Sequence, residues 1–307
     1  MPKKDPPQKA YGSLFIGVLA VSTAAILIKL ALPSASALAI SFYRMLFSSL
    51  FALLIYQSGK EKIPLSSICG QQKLLLILAG FFLALHFVLW TWSLELLSVS
   101  SSVFFVTTTP LWVGLFTPLV FKEKVSSRFY WGVLVAIIGG LIIATLQGGS
   151  PTGASNRSST VGLFMALAGA WMASAYFMIG KKLSSQLPTK FYVTIVYSIS
   201  SLVLGIFLIF EQRGGFILYD AKTYLYFLLM AAIPQTLGHT SFNTALKHLP
   251  AATVSLALLF EPVGSTILAI FFLQEMPATA EIVGGIFILI GLITAIKPKA
   301  KPLSNAA

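Results

Sequence analysis

Glu261 is the residue whose chemistry most needs explaining, because it lies about ten residues into an apolar run from Ala251 to Leu273. At that depth in a bilayer an isolated charge costs roughly 2.5 to 3.5 kcal/mol, so the carboxylate must face an interior, pair with a cation or hold a proton. It therefore suits three roles: coupling transport to protons, balancing a cationic group on a substrate, or tying helices together. Arg44, about nine residues into a second apolar run, is the obvious opposite charge. Its role is either structural and gating, or direct contact with a substrate carboxylate. Beside the acid, Pro262 cannot donate a backbone hydrogen bond towards Leu258, which leaves a carbonyl that a cavity could use.

Phe82, His86 and Trp90 are four residues apart and share one helical face. An imidazole turned to lipid would leave its polar atoms unpaired, so this stripe is assigned to a cavity rather than to packing surface. Gln235, His239 and Asn243 repeat the spacing and read as one wall of a wet cavity, with bonding between helices as the alternative. Trp171 and Tyr176 are weaker candidates of the same kind. Lys29, near the end of the first apolar run, reads as a side chain that snorkels to the surface. Glu123 and Glu275 open short charged loops and suit capping or gating. Cys69 is the single cysteine, so no internal disulfide forms; no metal-ligand spacing is present and no cofactor is expected.

The elements that must position these residues are membrane helices. Of 307 residues 57% are hydrophobic and 10% charged, against roughly 25% charged in a soluble domain. Apolar runs fall at about 11–32, 35–57, 73–94, 99–121, 128–146, 160–180, 189–210, 223–247, 251–273 and 278–296, which predicts ten spans. The first run exceeds the roughly 7 to 15 residues of a signal-peptide core. The stretch from Ser98 to Ile143 returns as Pro250 to Ala295, with Pro110, Glu123, Gly132 and Gly139 matched by Pro262, Glu275, Gly284 and Gly291, each 152 residues on. Each copy reads as an apolar helix interrupted by its proline, a charged loop opening at its glutamate, and a second apolar helix. Such self-similarity marks an internal duplication. Thr109 is the counterpart of Glu261, so the acid belongs to one half. The halves run from 11 to 146 and from 160 to 296, joined by a Gly- and Ser-rich linker at 147–159.

The net charge of +12 is spread through the gaps between apolar runs, which argues against nucleic acid and for topology signals facing an anionic membrane surface. With the N-terminus in the cytoplasm, 16 Lys and Arg fall inside and 4 outside, Lys29 among the latter, with Arg44 within a span. Both termini are thus expected to be cytoplasmic in a multi-pass inner or plasma membrane protein. Five spans per half insert the second half upside down relative to the first, the architecture of alternating access to a mid-membrane site. The glycines of the fifth and tenth spans suit packing within the chain, with a homodimer as their other use.

The repeated Pro, Glu and Gly spacing, Phe42-Tyr43-Arg44 and Leu258-Leu259-Phe260-Glu261-Pro262-Val263 together resemble the drug/metabolite transporter superfamily, specifically its EamA type. The resemblance runs from about residue 11 to 296. It implies an all-α integral membrane fold of ten helices in two inverted five-helix repeats, with a central cavity lined mainly by helices 1, 3, 4, 6, 8 and 9. It also implies the movement of amino acids, other metabolites or drugs, often outward; relatives of the fold carry nucleotide sugars or triose phosphates. No Gly-x-x-x-x-Gly-Lys phosphate loop is present, which excludes an ATP-driven pump within the chain. One membrane-embedded acid, with His86 and His239 on different helices, is too little for an intramembrane enzyme. A receptor or scaffold would not require a buried acid, a polar stripe and inverted symmetry together. Several converging Lys or Arg side chains would be needed for a phosphorylated cargo; their scarcity favours amphipathic or zwitterionic solutes. The partners expected are a small-molecule substrate, lipid and coupling protons.

Overall fold

Serine and aspartate punctuate the chain where apolar runs begin, since a side-chain oxygen can satisfy amide groups that a starting helix leaves open. Ser36 accepts from the Ala39 amide at 3.1 Å and starts α3 (Ala37–Gln57); Asp220 accepts from the Thr223 amide at 3.0 Å and starts α10 (Ala221–Met230). The computed structural model describes residues 7–59, 63–121, 127–146, 156–211, 218–249, 254 and 257–296, and these contain helices and no strand. In chain order the remaining helices are α1 (Pro7–Ser22), α2 (Ala24–Ala31), α4 (Gly70–Leu96), α5 (Val99–Val106), α6 (Thr109–Phe121), α7 (Ser127–Leu146), α8 (Asn156–Leu183), α9 (Thr189–Ile209), α11 (Thr240–His248), α12 (Glu261–Leu273) and α13 (Thr279–Ile296). Among the described residues seven helical stretches, beginning with Ala10–Ala31 and ending with Thr189–Ile209, are long and apolar enough to cross a membrane, and α12 and most of α13 are shorter apolar helices.

The expected proline interruptions lie before the prolines rather than at them. α5 stops at Thr107 and Thr108, and Thr109 and Pro110 open α6. A 3-10 turn at Leu258–Phe260 precedes Glu261 and Pro262, which open α12. Proline fits the first turn of a helix, where its missing N–H has no partner to lose. Three consecutive threonines turn back onto the helix at the first break: Thr107, Thr108 and Thr109 donate to the carbonyls of Val103, Phe105 and Val106 at 2.7, 2.7 and 2.9 Å.

The run containing Gln235 is not a plain α-helix. Ala231–His239 is wound as a π-helix around Pro234, a form whose wider turn is frequent at functional positions. Its wider turn alters the angle between successive side chains; Gln235 and Asn243 both approach Tyr197, while His239 lines the central cavity.

Packing pairs the two halves of the chain. α1 lies against the π-helix and α11, while α8 lies against α4; α3 contacts the π-helix, and α9 contacts α4; α1 meets α12, and α8 meets α5 and α6. α3 packs on α9, α5 on α12, and α7 on α13. In the last pair Gly132 faces Gly291 and Gly139 faces Gly284, so the helices run antiparallel with their backbones in contact. A Cβ on Gly284 would sit 2.5 Å from the Gly139 carbonyl, and one on Gly291 would sit 2.5 Å from the Gly132 carbonyl. The Phe42-Tyr43-Arg44 segment binds α3 to α10, Tyr43 stacking on Phe227 with ring centres 4.9 Å apart.

Candidate functional site

The broken and π-wound segments converge on a cavity of about 30 Å³, room for a water or two. α1 contributes Val21, α4 His86 and Trp90, the α5–α6 break Thr107 and Thr109, α8 Phe177, the π-helix His239, and the start of α12 Glu261. Five of the residues singled out from sequence therefore meet there: His86, Trp90, Thr109, His239 and Glu261. Pro110 and Pro262 stand beside Thr109 and Glu261 and fix where the half-helices start.

His86 is buried, and its Nδ1 lies 3.0 Å from the Gly169 carbonyl. A carbonyl only accepts, so Nδ1 carries the proton and Nε2 of the neutral ring is an acceptor. Its ring stacks on Trp90 at 6.0 Å and lies 6.4 Å from the ring of His239. Among the described residues no donor bonds the Glu261 carboxylate.

Arg44, the obvious opposite charge, forms no ion pair with Glu261. Its Nη2 and Nε donate to the Gln235 amide oxygen at 2.9 and 3.2 Å, and its guanidinium carbon lies 4.0 Å from the centre of the Phe87 ring. With 1% of its surface exposed, Arg44 is one of the largest fully buried side chains. Among the described residues the buried donors Arg44 Nη1, Gln235 Nε2 and Trp90 Nε1 have no hydrogen-bond partner, and neither has His239 Nδ1. An unmet donor of this kind costs about 1 to 3 kcal/mol, so the cluster favours a ligand group that accepts hydrogen bonds.

The other predicted residues stand apart from the cavity. Asn243 donates to the Tyr176 hydroxyl at 2.6 Å and to the His239 carbonyl at 2.9 Å, a cross-helix tie behind the cavity wall. Trp171 packs edge-on against Trp112 at 5.1 Å. Phe82 is half-buried against the core and meets Phe81 at 6.0 Å, so the α4 stripe enters the cavity only at His86 and Trp90.

At one end of the bundle a second polar cluster joins the halves. Glu275 accepts from the Val99 amide at 2.5 Å, and the buried Glu281 accepts from the hydroxyls of Ser98 and Ser101, the latter at 2.6 Å. Burial pushes the Glu275 carboxyl above the usual carboxylate range, while the nearby Lys29 ammonium pulls it back. Lys29 does not snorkel: it donates to the Leu97 carbonyl at 2.7 Å. Sequence reasoning missed Glu281, Ser98 and Ser101. It also missed Lys181, which donates to the Leu246 and Leu249 carbonyls at 2.9 and 3.2 Å. The signal was available, since Lys181 and Leu249 stand 152 residues after Lys29 and Leu97. Glu123 lies outside the described residues.

A small cavity that holds two histidines and a carboxylate among apolar helices suits a membrane transporter, and the sequence comparisons agree. The profile of the EamA-like transporter family matches residues 8–145 and 160–296, so the chain belongs to that family. The chain is 25% identical over 276 residues to the pseudopaline exporter CntI of Pseudomonas aeruginosa, covering 89% of this chain and 90% of that protein. It is 22% identical over 290 residues to a WAT1-related protein of Arabidopsis thaliana, covering 86% and 79%. A solved crystal structure shares the fold at a TM-score of 0.68 and 15% identity, covering 94% of this chain and 98% of that one.

Proposed function

We propose that the chain is a secondary transporter that exports small amphipathic or zwitterionic metabolites, amino acids or related solutes, by alternating access. Ten spans in two inverted five-helix repeats, residues 11–146 and 160–296 joined by 147–159, form the machine. Reciprocal packing supports the inversion: exchanging the first half for the second converts each major helix contact into another that is present, and antiparallel α7 and α13 meet through repeat-related glycines. Both termini are cytoplasmic in this reading, from the 16 to 4 split of basic residues, and the membrane is the inner or plasma membrane.

The observation that carries the reading is the enclosed cavity, which draws His86, Trp90 and Thr109 from one half and His239 and Glu261 from the other. In alternating access a site between two inverted halves opens to each side in turn. A volume of about 30 Å³ belongs to a contracted state between openings. Unmet donors at Arg44, Gln235 and Trp90 suit a carboxylate, and Glu261 suits an ammonium group or a coupling proton. The relationship to a metabolite exporter supports the outward direction. Since α7 and α13 use their glycines within the chain, a homodimer would need another surface.

Counterflow in proteoliposomes loaded in turn with amino acids and related zwitterions tests the proposal. Radiolabelled solute should accumulate transiently against its unlabelled form for at least one of them. Flux equal to protein-free liposomes for the whole panel would overturn it.

A further inference from the structure

We infer that one acyl chain of a membrane phospholipid binds within the first half of the protein, in an apolar cavity of about 410 Å³ between α6, α7 and α8. The site needs only a chain embedded in a bilayer, whatever solute the central cavity takes and whichever way the molecule faces.

Small residues make the space. Ala136, Gly140 and Ala144 follow one another at four-residue intervals along α7, so one face of that helix lines the cavity. At the repeat-related positions of α13, 152 residues on, stand Ile288, Leu292 and Ile296. Ile288 and Leu292 are buried, so α13 carries bulk where α7 leaves room.

The lining asks for no hydrogen bonds. Among the described residues that line the cavity none is charged, and only Thr108, Trp112 and Thr160 have a polar side-chain atom. Trp112 Nε1 donates to the Thr108 hydroxyl at 3.2 Å, and that hydroxyl donates to the Phe105 carbonyl at 2.7 Å. An ordered water needs about two to four polar partners, which such a wall does not offer. Left empty, a space of this size would forfeit dispersion contacts over its whole surface.

A lipid tail is the occupant at hand. Leu115, Ile137, Leu141 and Phe164 line the cavity and are also exposed, so its mouth is continuous with the lipid-facing surface of these apolar helices. A dry apolar cavity of about 150 Å³ holds benzene, six carbons; on the same scale about 410 Å³ takes roughly sixteen, the size of one acyl chain. With no charge in the lining to hold a headgroup, only the tail enters. The chain then lies against the central site, because the two cavities share a wall: Phe105 and Thr108 of the α5–α6 break line this one, and Val106, Thr107 and Thr109 line the other.

The test uses the full-length protein in phosphatidylcholine vesicles containing a phosphatidylcholine with a diazirine midway along one acyl chain. After illumination, adducts are located by peptide mass spectrometry. Leu111 and Leu163 line the cavity and are buried, so only a chain inside it reaches them, and both should carry adducts; the exposed Leu119 and Phe271 report ordinary lipid contact. Gly140→Leu puts a side chain into the space, its Cβ meeting the Phe105 ring at an ordinary 3.4 Å, and should remove the adducts from Leu111 and Leu163 while sparing those on Leu119 and Phe271. Ala144→Phe, at an exposed position in the mouth, should do the same and serves if Gly140→Leu fails to fold. Adducts on Leu119 and Phe271 alone, or cavity adducts that survive a well-folded filling variant, would overturn the inference.

Discussion

The guanidinium of Arg44 is held by the amide oxygen of Gln235, at 2.9 Å from Nη2 and 3.2 Å from Nε, and makes no ion pair with the carboxylate of Glu261. A cation fully buried on a neutral acceptor keeps spare donors, and the acid facing the cavity stays available. Had the two charges closed on each other, both would have been spent on structure.

The first prediction follows from that bond. Gln235→Leu removes the one acceptor that the guanidinium has among the described residues and should cost about 1.5 to 3 kcal/mol, visible as a lower thermal-unfolding midpoint in detergent. An unchanged midpoint would mean that water or another group already serves Arg44.

Glu261→Gln bears on coupling. If the acid carries the driving proton, the amide should abolish accumulation driven by a pH gradient while leaving exchange of solute for solute, since it mimics a permanently protonated side chain. Full gradient-driven accumulation in a well-folded Glu261→Gln protein would remove the proton from the mechanism.

Accessibility should divide the α4 stripe. In a background lacking Cys69, His86→Cys should react with a small water-soluble thiol reagent during turnover, because His86 lines the cavity; Phe82→Cys should not. Equal reactivity at both would show that the pathway is wider than the contracted cavity implies.

Topology is checked from the ends. Ser150→Cys in the linker should react with an impermeant reagent in intact cells, and Ser304→Cys only after the membrane is opened. The reverse order would invert every assignment of inner and outer.

Close packing gives a further contrast. A Cβ at Gly139 would meet the Ile288 amide nitrogen at 2.8 Å, and backbone atoms cannot rotate aside, so Gly139→Ala should destabilise by about 1 to 3 kcal/mol. Gly12→Ala meets nothing within 4 Å and should leave stability unchanged or raise it by up to about 1 kcal/mol, the helix-interior gain of alanine over glycine.

Much of this was legible beforehand because bilayers impose simple lengths and because duplication leaves a ruler. Apolar runs marked the helices, and five of the singled-out residues, His86, Trp90, Thr109, His239 and Glu261, lie around one cavity. The failures have local causes. Four-residue spacing assumes an α-helix; across the π-wound turn at Ala231–His239, Gln235 bonds Arg44, His239 lines the cavity and Asn243 bonds Tyr176. Lys29 was misread because snorkelling is the default for a lysine near a helix end, whereas an open carbonyl at Leu97 lay within reach. Glu281 stands in the first turn of α13, and that Ser98 and Ser101 meet it depends on contacts 180 or more residues apart in sequence.

The paired glycines of α7 and α13 also set what a moving carrier leaves still. Gly132 and Gly139 are seven residues apart, about 10 Å along the axis, so the two helices touch backbone to backbone at two levels. Sliding one along the other would drive a carbonyl into a neighbouring side chain, and separating them would open a void with nothing to fill it. Only a small rocking about the contact remains cheap. In the proposed alternating access this seam acts as the fulcrum, so spin labels placed across it should hold a fixed distance while labels across the α5–α12 contact change theirs through each cycle.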